Sequence, residues 1–200
     1  MEMTGEQLVP ASQEQTWNAL NDPEVLKACV PGCESIERIS GNDFLVLMVA
    51  RVGPVSAKFK GKLSLSDIKP PSSYSISFEG QGGAAGFAKG SANVRLSAEN
   101  SSTRLAYDVK ANVGGKLAQI GSRLIDGAAR KVADDFFRNF NEKLSAEHKK
   151  DEPHDAHHAE PASQPVARDP DLPSTSDTTL RFLAAGALVI YAVSLFVLFD

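Results

Sequence analysis

Few residues of this sequence could support acid–base, nucleophilic or metal chemistry, and they are poorly grouped. All four histidines lie between residues 148 and 158, so residues 1–147 contain none. This excludes Ser-His-Asp, Cys-His and Glu-x-x-His sets from that part of the chain. An enzyme would need other polar side chains inside the fold, and the candidates are Tyr107, Asn93 and Arg95.

Two short motifs could in principle bind a metal or undergo redox chemistry. Cys29 and Cys33 form a C-x3-C motif, which has neither the C-x-x-C redox spacing nor a second pair for zinc. We interpret this segment as a structural turn with both thiols reduced. His154, His157 and His158 could bind a transition metal, but a polar tether is the alternative interpretation of their segment.

The net charge of −4 is unevenly distributed along the chain. Residues 1–150 carry a net charge of +2, residues 151–180 carry −6, and residues 181–200 are neutral. A first region so close to neutrality has no strong electrostatic reason to bind nucleic acid, which is therefore not an expected partner. The composition predicts three parts: a folded domain over 1–147, a linker over 148–179 and an anchor over 180–200.

The C-terminal segment is the most apolar part of the chain. Residues 182–199 contain no charged side chain. As a helix they would span about 27 Å, close to the ~30 Å of a bilayer core. We predict one transmembrane helix, with a buried core helix as the alternative. Arg181 precedes this span, so the positive-inside rule predicts a single-pass tail anchor in the cytoplasmic membrane with the domain facing the cytoplasm.

The segment over 148–179 is acidic, rich in proline and almost free of large apolar residues. It cannot bury enough apolar surface to offset the entropy of ordering, so we predict a disordered linker. A flexible chain of this length reaches roughly 30 Å.

Alternation of apolar and polar residues predicts antiparallel strands over 55–65, 74–78 and 105–113. The run over 44–52 is apolar on both faces and predicts a strand that is covered on both sides. Turn residues rich in Gly, Pro, Asn and Ser separate these segments.

Three segments carry helix signals. Ser12 with Gln15 forms a capping box before the first, and Asp22 followed by Pro23 can begin the second. Near the end of the domain, apolar residues at three- and four-residue steps predict one long amphipathic helix of about eight turns. Its apolar face contains Leu117, Ile120, Leu124, Ala128, Val132, Phe136, Phe140 and Leu144.

The order of elements is a strand, two short helices, about six antiparallel strands and one long helix. A curved antiparallel sheet around the C-terminal helix would bury both apolar faces. This is an α+β helix-grip fold of the START/Bet v 1 type, to which the chain adds the disordered linker and the C-terminal transmembrane helix.

A strongly curved sheet cannot collapse fully onto one helix, so small residues between them predict a cavity. The glycine-rich residues 80–90 supply such residues and predict a flexible hairpin at its mouth, with Phe87 as an exposed tip; a plain loop or a strand with bulges is the alternative. A phosphate cradle is not expected, because the segment leads into a strand rather than a helix. The pattern selects seven candidate ligand-binding residues: Phe59, Leu63, Phe78, Phe87, Tyr107, Leu124 and Phe136.

The sequence resembles the G-subunit family of carbon monoxide dehydrogenase, which belongs to the START-like (SRPBCC) superfamily. The matching segments are 20–26, Cys29-Val30-Pro31-Gly32-Cys33, Phe59-Lys60-Gly61-Lys62 and 82–90, and the resemblance covers about residues 1–147. It implies a non-catalytic accessory protein that recruits a molybdenum-containing CO dehydrogenase, or a related molybdenum hydroxylase, to the membrane.

The resemblance also implies that the cavity binds a quinone, menaquinone or ubiquinone, and thereby couples the enzyme to the respiratory chain. No covalent cofactor and no metal are expected, and the expected partners are the molybdenum enzyme and membrane lipid or quinone. Two alternatives stay open: an assembly factor for the molybdenum enzyme, and an enzyme similar to the polyketide cyclases.

Overall fold

The computed structural model describes residues 1–52 and 55–148 of the chain. Seven strands and three helices follow one another in the predicted order. In chain order they are β1 (Glu2–Val9), α1 (Gln13–Leu20), α2 (Pro23–Cys29), β2 (Cys33–Ser40), β3 (Asp43–Val52), β4 (Val55–Lys69), β5 (Ser73–Gln81), β6 (Phe87–Glu99), β7 (Ser102–Gly114) and α3 (Ser122–His148). Two 3₁₀ turns, Gly83–Ala85 and Leu117–Ile120, complete the set.

The strands form one antiparallel sheet in the order β1-β7-β6-β5-β4-β3-β2. Each strand from β2 to β6 pairs with the next strand in the chain, so the part of the sheet from β2 to β7 is a meander of hairpins. Strand β1 pairs with β7 and ends the sheet on that side. The inward residues of the strands and one face of α3 form a single apolar core. The predicted curved sheet with a long C-terminal helix is therefore confirmed.

Both short helices begin where the sequence predicts. Ser12 accepts a hydrogen bond from the Gln15 backbone N–H while the Gln15 side chain accepts one from the Ser12 N–H, which completes the capping box. Asp22 accepts from the Glu24 and Val25 backbone N–H groups, and Pro23 occupies the first helical position. The two helices therefore start at fixed residues beside the sheet.

The long helix begins later than the sequence predicts. Leu117–Ile120 forms a separate 3₁₀ turn, and Gly121, at a φ of +99°, separates it from α3. Other residues rarely adopt this backbone conformation, so the helical path cannot run through it unbroken. Helix α3 itself contains 27 residues.

Strand β3 is not covered on both sides, contrary to the prediction. Its inward residues are buried, whereas Leu45 and Leu47 are only half-buried and Val49 is exposed on the outer face. Lys58, Lys60 and Lys62 of β4 lie directly across from these three residues. The aliphatic stems of lysines can shield apolar neighbours while the ammonium groups stay in water. A strand that is apolar on both faces therefore needs no second layer here.

The glycine-rich segment is shorter as a loop than predicted. Gly80 and Gln81 belong to β5, and Phe87 is the first residue of β6 rather than a hairpin tip. Phe87 pairs with Gln81 on one side and Gly114 on the other, and it is exposed as predicted. Only the 3₁₀ turn and its flanking glycines connect the two strands.

Within the described part of the chain, no helix has the length and apolar character needed to cross a bilayer. The predicted anchor over 180–200 and the predicted linker, apart from His148 at the end of α3, lie outside the described residues. The same holds for the His154, His157 and His158 cluster.

Candidate functional site

The inner face of the sheet contains several very small residues near one end. Gly61 lies across from Gly80, and Gly80 lies across from Ala88. In the next cross-strand row, Gly90 lies across from Ala111. We call this part of the inner face, together with the first half of α3, the glycine end of the molecule.

The opposite end of the same face consists of large residues. Tyr74 lies across from Val94, which lies across from Tyr107, and the row beyond contains Leu96 and Leu105. Trp17 of α1 packs edge-on against Tyr74 with the ring centroids 5.5 Å apart. Because large rings fill the space above this part of the sheet, we call it, with α1, α2 and the second half of α3, the aromatic end.

Helix α3 follows the same gradient as the sheet. Its buried residues in the first half are Ile125, Ala128, Ala129, Val132 and Ala133. Its second half contributes Phe136, Phe137, Phe140 and Leu144, which are also buried. The small half of the helix therefore belongs to the glycine end and the large half to the aromatic end.

Contacts between the phenylalanines fix the large half of α3 on the sheet. Phe137 stacks on Tyr107 at 5.7 Å between centroids, and Phe136 stacks on Phe140 at 5.4 Å. Asn139 donates a hydrogen bond to the Cys29 carbonyl at the end of α2. These contacts set the position of the helix, and Gly and Ala side chains then have to fill the space at the glycine end. The small-residue region between the sheet and the first half of α3 is therefore the candidate site for an apolar ligand, and we call it the chamber. Side chains that line it, such as Phe59, Leu63 and Ala129, are fully buried, so a ligand would have to displace them to enter.

Two aromatic rings lie on the floor of this chamber. The Phe59 ring covers Gly82, and the Phe78 ring covers Gly90, where a Cβ atom would come within 2.7 Å of the ring. Both phenylalanines are buried. Without side chains at positions 82 and 90, the two rings can lie against the backbone. The floor therefore presents apolar ring surface rather than polar groups.

Polar groups in the interior are confined to the other end. Among the described residues, the buried polar side chains outside the tyrosines are Thr16, Asn21 and Thr103. Asn21 donates to the Trp17 carbonyl, and Thr103 donates to the Ala11 carbonyl, so both serve the backbone near α1. Among the described residues, the interior between the sheet and the first half of α3 therefore consists of apolar side chains.

Five of the seven predicted ligand-binding residues are buried in the core. Leu63 lies directly across from Phe78, and with Phe59 they belong to the glycine end. Tyr107 and Phe136 lie at the aromatic end, where the interior is filled. The structure therefore brings three of the predicted residues to the chamber and assigns two to the packed region beside it.

The remaining two predicted residues are at the surface. Phe87 is 44% exposed and Leu124 is 54% exposed. Four residues advance a helix by about 40° beyond a full turn, so three such steps from Phe136 back to Leu124 rotate the side chain by about 120°. This rotation removes Leu124 from the buried face, and Ile125 takes its place.

The sequence pointed to the glycine-rich segment but not to the small residues of other strands that face inward. Gly83 and Gly86 have positive φ angles and belong to the turn, and Gly121 and Gly127 are exposed. Gly61 and Ala111, in contrast, face inward, and neither was a candidate. Each occupies an apolar position in the alternation of its strand, which is the signal that could have identified it.

The polar residues required by the enzyme alternative do not enter the chamber. Asn93 is exposed on the outer face, accepts a hydrogen bond from Ser75 and donates one to Asp108. Arg95 is also exposed and forms an ion pair with Asp108 at 3.5 Å. Of the three candidates, only Tyr107 points inward. Burial raises the pKa of its phenol, as does the Asp134 carboxylate, while Arg130 opposes the rise.

The two cysteines form the predicted turn. Cys29 ends α2, Cys33 begins β2, and both are free thiols. Burial raises the pKa of Cys33 to about 11, with Glu34 adding to the rise and Lys27 opposing it. The thiol is therefore protonated and weakly nucleophilic at neutral pH. No cluster of potential metal ligands occurs among the described residues.

Comparison with a protein-family model gives one family. The model of the carbon monoxide dehydrogenase G subunit (CoxG) matches residues 5–145. No curated protein matches the chain.

Solved structures share the fold. A conserved protein from Geobacillus kaustophilus is 30% identical, with a TM-score of 0.68, and the match covers 73% of this chain and 96% of that one. Protein Ms6760 from Mycobacterium smegmatis is 18% identical with a TM-score of 0.55, covering 74% of this chain and 92% of that one. Ara h 8.0201 is 15% identical with a TM-score of 0.54, covering 73% and 98%. The last two show the Bet v 1-like fold alone.

Proposed function

The chain belongs to the CoxG family, that of the carbon monoxide dehydrogenase G subunit, and from this membership we propose that it is a membrane-anchored quinone-binding adaptor. The family is that of an accessory subunit of CO dehydrogenase. In our proposal the chain binds menaquinone or ubiquinone in the chamber at the glycine end. It recruits a molybdenum-containing CO dehydrogenase, or a related molybdenum hydroxylase, to the cytoplasmic membrane.

One observation carries the ligand part of this proposal. The sheet and the helix both change from large to small residues at the same end, and the small-residue part contains no buried polar side chain among the described residues outside the tyrosines. Flat rings with apolar tails fit such a space, because they need contact area and little hydrogen bonding. A quinone in this region would contact the apolar side chains of Phe59 and Phe78.

The membrane part of the proposal depends on the sequence. The apolar residues 182–199 would anchor the chain, and the acidic residues before them would link the anchor to the domain. A protein confined to the membrane meets its partner at a raised effective concentration, so weak docking of the dehydrogenase is sufficient. The domain itself needs no catalytic group in this role.

The test of ligand binding is direct. The full chain is purified from a host that makes quinones, and its organic extract is analysed by mass spectrometry. We expect stoichiometric quinone in the wild type. In Ala129→Leu, which fills the chamber from α3, we expect a loss of about tenfold or more, since 1.4 kcal/mol of binding energy is a factor of ten. Ala98→Leu, on an exposed position of β6, is the matched control and should keep its quinone.

A wild-type extract without quinone would remove the carrier function. Recruitment is tested separately by deleting residues 180–200 in a cell that makes the dehydrogenase. We expect the dehydrogenase to move to the soluble fraction with its metal content unchanged. A dehydrogenase that lacks its metal would instead point to an assembly role.

A further inference from the structure

Five large apolar side chains are exposed among the described residues. Phe87 and Leu124 lie at the glycine end. Leu8, which is 54% exposed, lies at the aromatic end, and Ile39, which is 52% exposed, lies beside the turn between β2 and β3. These residues offer similar apolar surface, so exposure alone does not distinguish them. Isolated exposed apolar residues are common and need no explanation of their own.

The charges around these positions differ. Near Leu8, Arg104 forms ion pairs with Glu6 at 3.0 Å and with Glu99 at 2.8 Å, so its charge is compensated. Ile39 follows Arg38 in the chain, and the nearby Asp43 forms an ion pair with Lys62 at 3.2 Å. Leu8 and Ile39 are therefore exposed among charges that are largely compensated.

At the glycine end the surroundings are basic. Lys60 shares the cross-strand row of Gln81 and Phe87, and Lys89 follows Phe87 two residues later on the same face. Lys116 and Arg123 flank the 3₁₀ turn that precedes Leu124. All four side chains are exposed, and none forms an ion pair with another described residue.

Two further features bring these residues to one rim. The Gly83–Ala85 turn and the connection from β7 to α3 are in contact, because a Cβ atom at Gly115 would lie 2.5 Å from the Gly86 Cα atom. Beside Gln81, the outer face of the sheet carries an open groove of about 520 Å³, lined in part by Lys60, Lys62 and Glu79. Glu79 lies across from Lys62 and from Lys89, so basic side chains outnumber the one carboxylate here.

We propose that the glycine end is a surface that contacts an anionic lipid bilayer. Phe87 and Leu124 enter the boundary between head groups and acyl chains, while Lys60, Lys89, Lys116 and Arg123 bind lipid phosphates. The aromatic end, where Leu8 lies among compensated charges, faces away from the bilayer. This surface rests on the proposed function, because its use would be the transfer of a ligand. The ligand could then pass between the bilayer and the chamber without crossing water.

The chain offers a clean spectroscopic test. Trp17 is the only tryptophan, and it is buried at the aromatic end. A tryptophan placed at the surface therefore reports its own surroundings above a constant background. The full chain is prepared as Phe87→Trp, Leu124→Trp and, as the matched control, Leu8→Trp, and each is reconstituted into vesicles of phosphatidylglycerol and phosphatidylcholine with brominated acyl chains.

We expect blue-shifted and quenched emission for the tryptophans at 87 and 124, and emission at 8 that is the same in brominated and ordinary lipid. Replacing Lys116 and Arg123 by Glu should weaken the quenching at 87 by about fivefold or more per residue, because each basic group near an anionic surface contributes a factor of this size. Vesicles of phosphatidylcholine alone should give the same loss.

Equal quenching at positions 8 and 87, or none at 87, would overturn the proposal. So would a tryptophan at 87 that responds to added dehydrogenase but not to lipid, because the surface would then fit a protein. Quinone content is measured on the same samples by extraction. Quinone without quenching refutes the membrane surface alone, and quenching without quinone refutes the carrier function alone.

Discussion

The glycine end and the aromatic end share one sheet and one helix but differ in what fills the space between them. At the aromatic end, stacked rings of α3 rest on Tyr107, and Trp17 rests on Tyr74. At the glycine end, the tips of the Phe59 and Phe78 rings lie against glycines, and the helix above contributes mainly alanine. The packed rings of the aromatic end therefore hold the helix on the sheet, whereas small residues make up much of the interior at the glycine end.

The largest effect should come from removing a ring at the aromatic end. Phe140 is fully buried and stacks on Phe136. We expect Phe140→Ala to lower the free energy of unfolding by about 3–5 kcal/mol, because it leaves a cavity that the neighbours cannot fill. Urea unfolding followed by Trp17 fluorescence measures it. Leu124→Ala, at an exposed position of the same helix, is the control and should change stability by about 0.5 kcal/mol or less. A loss below about 1 kcal/mol for Phe140→Ala would show that this ring does not hold the helix on the sheet.

The second test adds volume at each end. Ala11 and Ala129 are both fully buried, the first beside α1 and the second above the chamber. We expect Ala11→Leu to cost about 1–3 kcal/mol through overpacking, and Ala129→Leu to cost less than about 1 kcal/mol because its small neighbours can shift to admit the added carbons. The same unfolding measurement compares them. Equal costs at the two positions would show that the glycine end is as tightly packed as the rest.

The third test compares a glycine whose positive φ angle disfavours other residues with a glycine inside a helix, where other residues fit. A Cβ atom at Gly121 or Gly127 would meet nothing within 4 Å, but only Gly121 has a positive φ, of +99°. Gly121→Ala should therefore cost about 1 kcal/mol or more in backbone strain. Gly127→Ala, inside α3, should gain about 0.5–1 kcal/mol from helix propensity. Thermal unfolding of the two variants decides; the same sign of change in both would contradict the assignment.

The smallest effect is expected for a single hydroxyl at the aromatic end. The Tyr107 ring stacks on Phe137, but its hydroxyl makes no hydrogen bond with another described residue. We expect Tyr107→Phe to change stability by about 0.5 kcal/mol or less and to leave the quinone content unchanged. Quinone extraction and urea unfolding check both. A large loss of quinone would instead give this hydroxyl a direct part in ligand binding.

The sequence predicts the fold well because alternation and helical periodicity report burial directly. The strands of the meander, both capped helices and the long helix follow from these patterns, and the family follows from short motifs. Periodicity also predicts which face of a helix is buried, but a row of four-residue steps drifts around the helix. For this reason Leu124 was placed on the wrong face.

The candidate site is harder to predict than the fold. Phe59, Leu63 and Phe78 were selected as large apolar residues in strands, and they lie in the chamber. Its shape, however, depends on residues that contribute almost nothing themselves, such as Gly61 and Ala111. Their role follows only from cross-strand register, which brings together positions far apart in the chain. A sequence pattern within one strand contains no information about that register.

The position of β1 has a consequence for the order in which the chain can fold. This strand leaves the ribosome first, yet its neighbour in the sheet, β7, begins only at Ser102. At ~5–20 residues per second, synthesis leaves β1 without its partner for roughly 5–20 s. The hairpins from β2 to β7 pair with near neighbours in sequence and can form during that time. We therefore expect the meander to assemble first, and β1 to close the sheet after it.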